Sequence, residues 1–471
     1  MDKPSERQKT ATKQSLIIHD FTKGGIPAHM LRFAVPFMLS NAMQVFYSLV
    51  DMVVVGKFVG SYGLSAVSVA GQVFTFMTMC ALGFCTGGQV YIAQLIGAGE
   101  RAALNRTIGT LFSLIGCIGV AVSALVLLFQ ESILALLNTP PEAFSMALDY
   151  MLVCGCGLIF TYGYNLVSAI MRGMGDSKHP FLFIMIASII NVVFDLLFVG
   201  VFGWGVAGAA VATIMGQGFS FLYALVYLYR RREAFGFDFK PASFVMDKAI
   251  LASLCRLGVP FALQSCAINV SMLFVNSLVN GMGVYASATF GVGLKLDDII
   301  NKTTQGVSFA VSSMVGQNIA ARELARTRRV VYCGWCMGAA CYAIYTVFYL
   351  CFAKEMFGLF TDEAAVIALA PTFVSALVWS FPAMAMMRGT NGFVQGIGNA
   401  RLSLLFSLID GFVLRIALSY LLGTVLHMGL FGFFLGYGLA AYGTAVPGAL
   451  YFLFGRWEER TLSVPSARAE G

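Results

Sequence analysis

Apolar and polar positions alternate along this chain on a long scale: apolar runs of about twenty residues or more are separated by short polar connections. A helix of roughly twenty residues is what crosses the hydrocarbon layer of a bilayer. Twelve runs of this kind predict twelve helices, at about 31–55, 64–95, 107–129, 143–171, 180–202, 206–229, 249–279, 285–319, 330–352, 364–395, 402–426 and 430–457. The short-period alternation over about ten residues that marks a barrel strand is absent. Composition agrees, since 58% of the 471 residues are hydrophobic and 11% charged, where a soluble domain carries about a quarter charged residues. A water-soluble enzyme is excluded, and the expected fold is an all-α polytopic membrane protein.

Basic residues collect in the connections that face the cytoplasm. Of the 30 Lys and Arg, 24 fall in the N-terminal segment, the even-to-odd connections and the C-terminal tail, and only Lys57 and Lys354 in the alternate connections. This ledger predicts both termini on the cytoplasmic side of the cell membrane. The surplus of 30 basic over 23 acidic residues therefore reflects topology, and no nucleic-acid module is evident. The polar segment 1–30 lacks the apolar core of a signal peptide, so the first span is expected to act as the insertion signal.

The longest polar connection, 230–248, divides the chain into a lobe at 31–229 and a second at 249–457, with a tail at 458–471. The two lobes repeat one another. Pro36, Phe37 and Leu39 recur as Pro260, Phe261 and Leu263; Gln94, Glu100 and Arg106 as Gln317, Glu323 and Arg329; Gly173 and Gly175 as Gly396 and Gly398; Gly205 and Gly208 as Gly429 and Gly432. The offset stays at 223 or 224 residues throughout. A six-helix unit starts and ends on one side, so its copies are related by an axis along the membrane normal. Two such lobes around a central cavity suit an alternating-access transporter.

No phosphate-binding G-x-x-x-x-G-K-[ST] loop occurs, so the drive is expected from an ion gradient. His19, His29, His179 and His427 are scattered, and no nucleophile or zinc motif appears. Neither an enzyme nor a cofactor is expected. Cys333 and Cys336 have C-x-x-C spacing inside a predicted span and read as packing residues.

Ionisable groups inside spans are costly and mark function. Asp51 lies on the first helix. Asn191 and Asp195 lie on the fifth, spaced i, i+4 and so on one face. Their repeat positions hold Phe274 or Val275, Leu414 and Leu418, and a shared fold requirement would not place acids in one lobe alone. Both acids are therefore candidates to bind the coupling ion. On the eighth helix, Lys295 with Asp298 and Asp298 with Lys302 have pairing distance, while Asp297 points elsewhere. Arg388 and Arg415 are candidate partners for Asp297 and Asp410. This group, Lys295, Asp297, Asp298, Arg388 and Arg415, is either internally paired or lines a substrate cavity. Pro36 and Pro260 remove backbone hydrogen bonds and permit helix bends. The 23 methionines and 41 phenylalanines would suit an adaptable cavity, although packing uses the same residues.

Taken together, Asp51 with Gly56, Gln94 to Glu100 and its repeat Gln317 to Glu323, Arg172 to Asp176 and Gly205 to Thr213 resemble the multidrug and toxic compound extrusion (MATE) family. The resemblance implies a V-shaped pair of six-helix lobes that expel organic, cationic compounds in exchange for H⁺ or Na⁺, with no cofactor. It implies an ion site at Asp51, Asn191, Asp195 and Thr213, with Tyr150 and Asn165 as fourth-helix candidates; any Na⁺ would sit at Asp51, Asn191 and Asp195. The family's other sodium site, a Glu and an Asp in the second lobe, has no match at Ile268, Asn269 or 380–382. A small organic substrate, a bilayer and a monomer are the expected partners and state. The alternative is a flippase for lipids or lipid-linked oligosaccharides, which Lys295, Lys302, Arg388 and Arg415 would favour.

Overall fold

The computed structural model describes residues 19–460 and residue 462. Most of the polar segment before residue 30, and most of the tail after 458, lie outside these residues. Twelve long helical segments follow one another: α1 (Ile26–Phe58), α2 (Ser61–Ala98), α3 (Leu104–Leu136), α4 (Pro141–Gly173), α5 (Lys178–Val201), α6 (Gly205–Arg230), α7 (Lys248–Asn280), α8 (Val284–Ala320), α9 (Leu324–Cys351), α10 (Ala364–Gly396), α11 (Ala400–Val425) and α12 (Gly429–Phe454). Each predicted run falls on one of them. Eleven are long and apolar enough to cross a membrane. The twelfth, α8, has the length but carries Lys295, Asp297, Asp298 and Lys302 near its middle.

The chain packs as two compact units. The first gathers Leu39–Ala262, and the second joins Phe21–Met38 to the chain from Leu263 onward. This differs from the expected division at 31–229 and 249–457, because α1 and α7 each pass from one unit to the other just beyond a proline, Pro36 or Pro260. Local packing is the reason. Early in α1, Phe33 and Ala34 join Val307, Val311 and Phe393 in one apolar cluster. Early in α7, the position of a Cβ on Gly258 lies 2.4 Å from the Phe84 ring, and one on Gly83 would lie 2.3 Å from the Ala262 nitrogen. Only glycines let those backbones approach so closely. Both prolines lie inside uninterrupted helices.

The connection between α6 and α7 is docked rather than loose. Phe237 stacks on Phe112, Phe239 packs tilted against Phe237, and Phe244 is edge-on to both Phe112 and Phe237. Asn105 accepts from the Asp238 amide, and Thr110 accepts from the Asp247 amide, both at 3.2 Å. Ser113 donates to the Phe244 carbonyl.

The internal repeat is visible in backbone geometry. Gly60 and Gly283, Gly175 and Gly398, and Gly205 and Gly429 all have positive φ, a conformation that costs a glycine nothing. Asp176 accepts from the Lys178 amide at 3.0 Å and Asn399 from the Leu402 amide at 3.4 Å, so both repeats start a helix on a short capping side chain.

The offset, 224 at Pro36 and 223 from Gly60 to Gly175, returns to 224 within α11. Ser220 donates to the Phe183 carbonyl and Thr444 to the Phe406 carbonyl, which aligns Phe183 with Phe406 at 223. Farther along, the Phe202 amide bonds the Leu197 carbonyl and the Leu426 amide the Leu421 carbonyl, both i to i+5. Those match at 224. The extra residue is absorbed by a π-helical segment, Ile409–Arg415, where the first unit has regular α-helix over Lys178–Asp195. A π segment is how a helix accommodates one inserted residue without losing its later register. With the offset of 224 regained by the segment's last residue, Arg415 corresponds to Asn191 and Ser419 to Asp195. The counterparts expected at an offset of 223, Leu414 and Leu418, are corrected accordingly.

Candidate functional site

Asp195 ends the α-helical part of α5 and is fully buried. Neither carboxylate oxygen has a hydrogen-bond partner. Asp51, half-buried on α1, leaves its Oδ1 unpartnered, and the two acids lie within reach of each other's charge. Among the described residues, no basic side chain acts on either acid. An uncompensated buried carboxylate is among the most expensive groups a protein can keep. Two together in one unit form a place for positive charge.

Three neighbouring helices, α4, α5 and α6, carry the other candidate residues. Asn191, one turn before Asp195, donates to the Thr213 hydroxyl on α6 at 3.3 Å and leaves its own Oδ1 open. Gly216 makes this contact possible: a Cβ there would meet the Ala187 carbonyl at 2.7 Å and the Asn191 Cβ at 3.4 Å. Tyr150 is buried on α4 beside Cys154, within reach of the Asp51 charge. Asn165 is also buried, but its amide donates to the Thr161 carbonyl of its own helix at 2.8 Å. Open oxygens on Asp51, Asn191 and Asp195 are the hard donors that H⁺ or a small cation would use. Among the described residues, no group of three or more His, Cys, Asp or Glu could hold a metal ion.

Sequence reasoning passed over Tyr47 and Tyr164. Tyr47 lies close enough to interact with Asp51, Asp195 and Tyr164, and Tyr164 accepts from Gln44 at 3.1 Å. The signal was present, since Tyr47 precedes Asp51 by one helical turn and shares its face. A small apolar cavity of about 10 Å³ is bounded by Val73, Phe74, Met77, Met151 and Leu158 in the same unit. It is too small for an organic molecule.

Residues 36–197 and 260–421 both match the MatE family model. The two matched stretches begin on Pro36 and Pro260 and keep the 224-residue offset at both ends. The chain belongs to the MatE family. A relative described as the probable multidrug resistance protein YpnP of Bacillus subtilis is 29% identical, over 94% of this chain and 98% of its own. The probable multidrug resistance protein NorM of Thermotoga maritima is 25% identical, over 93% and 94%. Among solved structures, an outward-facing multidrug resistance MATE family transporter of the MOP superfamily superposes with a TM-score of 0.87 at 23% identity, covering 98% of this chain and 100% of that one. A MATE in complex with MaL6 gives 0.85 at 24%, covering 93% and 97%. The two-lobed all-helical MATE fold, the resemblance read from the sequence and the non-enzymatic transporter class follow.

In this MatE chain the charged residues of the second unit are arranged differently from those of the first. Asp297 is buried; Tyr437 donates to its Oδ2 at 3.2 Å, and its Oδ1 has no partner. Arg415 pairs with Asp410 at 2.8 Å and lies 4.8 Å from the centre of the Tyr437 ring. Thr444 donates to Asp410 at 3.4 Å. Arg388 donates to Asn301 and, at 2.7 Å, to Tyr342. The Arg415–Asp410 pairing matches the expectation. Arg388 does not pair with Asp297: it bonds neutral partners and acts on that acid only through the field of its charge. The Lys295–Asp298 pairing also fails. Asp298 pairs with Lys302 at 2.7 Å, while Lys295 lies exposed on the same face. The basic groups that would have favoured a flippase are thus dispersed or already bonded.

Proposed function

We propose that this protein exports organic cations across the cell membrane by alternating access, driven by H⁺ or Na⁺ entering in exchange. Membership of a family of multidrug efflux transporters supports export of small molecules. What carries the exchange reading is Asp195, fully buried with both carboxylate oxygens open and Asp51 within reach of its charge.

In the proposed cycle the coupling cation binds at Asp51 and Asp195, held also by Asn191 and oriented through Thr213, with Tyr150 and Asn165 lining the approach. Loading cancels negative charge that has no internal partner. Two acids that share one site repel each other when both are ionised, so the empty and loaded states favour different packing of α1 against α4, α5 and α6. A cationic substrate competes for the same negative charge, and loading lowers its affinity. Pro36 and Pro260 act as the bending points where α1 and α7 pass between units. Lys295, Asp297, Asp298, Arg388 and Arg415 are assigned to fixed electrostatics of the second unit, with substrate contact left to Asp297.

The test is uptake of a fluorescent cationic dye into inverted membrane vesicles, with ΔpH and ΔNa⁺ imposed separately. Accumulation under one gradient alone names the ion. Asp195→Asn should leave an inserted, folded protein whose dye uptake no longer responds to that gradient. Wild-type uptake by the variant would end this assignment.

A further inference from the structure

The π insertion in α11 places a charged residue where the first unit has a neutral ligand. With the offset of 224 regained by the last residue of the π segment, Asn191 corresponds to Arg415 and Thr213 to Tyr437. The Asn191–Thr213 hydrogen bond at 3.3 Å is therefore matched by the Arg415 guanidinium over the Tyr437 ring at 4.8 Å. Before the insertion the offset is 223, and Asn165 corresponds to Arg388. Three positions of the first unit's polar site are thus matched in the second by two arginines and the tyrosine that bonds Asp297.

Charge balance follows the same division. Around the first site, Asp51 and Asp195 lie within reach of each other's charge, and among the described residues no basic side chain acts on either. In the second unit, two buried acids, Asp297 and Asp410, are accompanied by two buried guanidiniums, Arg388 and Arg415. Both arginines act on Asp297, as does the exposed Asp298, and Tyr437 donates to it. Asp410 is bonded by Arg415 and Thr444. The insertion makes this closure possible. Residues five apart on an α-helix point about 140° apart around the axis, whereas the π winding of Ile409–Arg415 brings Asp410 and Arg415 together.

We infer that the second unit is a sister of the ion site in which a tethered cation, the guanidinium of Arg415, stands permanently in place of the exchangeable one, so that this half binds no coupling ion. The inference deepens the proposed function and rests on Asp51 and Asp195 being the exchange site. A guanidinium stays charged throughout the physiological range and cannot leave, so the second unit keeps the same net charge through the cycle.

The experiment counts cations bound at equilibrium by the purified full chain, as protons taken up in a weakly buffered titration and as ²²Na⁺ retained. Asp297→Asn should bind the same number as wild type, and so should Arg415→Lys, which keeps the tethered charge. Arg415→Asn, which restores the first unit's residue, should bind one more. Circular dichroism and thermal unfolding establish that each variant is folded. Loss of one bound cation in Asp297→Asn overturns the inference even if Arg415→Asn cannot be purified; a folded Arg415→Asn with the wild-type count overturns it equally. The underlying reading fails separately: an unchanged count in both Asp51→Asn and Asp195→Asn would remove the exchange site itself, whatever the second unit does.

Discussion

Asp410 and Arg415, five residues apart on α11, form a buried ion pair at 2.8 Å because the helix between them is wound as a π segment. A pair of this kind is better viewed as a constraint than as a source of stability, since desolvating both charges offsets most of their attraction. Removing one partner is another matter.

Arg415→Ala should therefore destabilise the protein by about 3–5 kcal/mol, the usual consequence of a buried charge left alone. The double variant Asp410→Leu/Arg415→Met should recover most of that loss. Thermal unfolding of wild type and the two variants in one detergent checks it. Equal losses in the single and double variants would mean that the helix, not the charge, sets the cost.

Asp195 is the reverse case, a buried acid whose open oxygens give it no bonded partner to lose. Asp195→Leu removes a desolvated carboxylate and should stabilise the fold by about 1–3 kcal/mol while abolishing gradient-driven dye transport. Melting temperature and vesicle uptake should move in opposite directions, as expected where function is kept at the expense of stability.

Gly109 is what allows the α6–α7 connection to lie on α3. A Cβ at this position would stand 1.7 Å from the Ser243 carbonyl oxygen and 2.7 Å from its carbon. Both atoms are backbone, so Gly109→Ala should lift the connection off the helix, at about 1–3 kcal/mol. Trypsin should then cut at Arg230, Arg231, Arg232 or Lys240 faster than in wild type.

Asp238 in that connection titrates below the ordinary carboxylate range. Ser243 donates to it at 2.6 Å, and the Lys240 amide donates at 3.2 Å, and both bonds favour the ionised form. A depressed value means that the stabilisation is complete above the unfolded value, about 3.9, and is lost as pH falls through the folded one. A spin label on Val245→Cys, a position 70% exposed, should therefore gain mobility only below about pH 4. With Ser243→Ala the change should begin at higher pH.

The membrane class, the twelve helices and the internal repeat were all legible along the chain. A bilayer interior cannot hydrogen-bond a bare backbone, so each crossing must be a helix of nearly set length, and its apolar run is written contiguously. Asp51, Asn191 and Asp195 could be named for a related reason: charge inside such a run is costly, and an i, i+4 spacing already defines a shared face. Tyr47 obeys the same spacing and could have been named too.

Other features depended on contacts that local patterning does not encode. Winding Ile409–Arg415 as a π segment shifts backbone hydrogen bonds from i+4 to i+5, and hydropathy does not register that change. The shift alone decided that Arg415, rather than Leu414, stands opposite Asn191. Arg388 chose Asn301 and Tyr342 over Asp297 because α8, α9 and α10 bring those groups within bonding distance. The passage of α1 and α7 between units just past Pro36 and Pro260 likewise arose from which faces found close-packed neighbours. Solvent acts on each residue in turn and so leaves its trace in the order of residues, whereas pairing between distant helices exists only once they have packed.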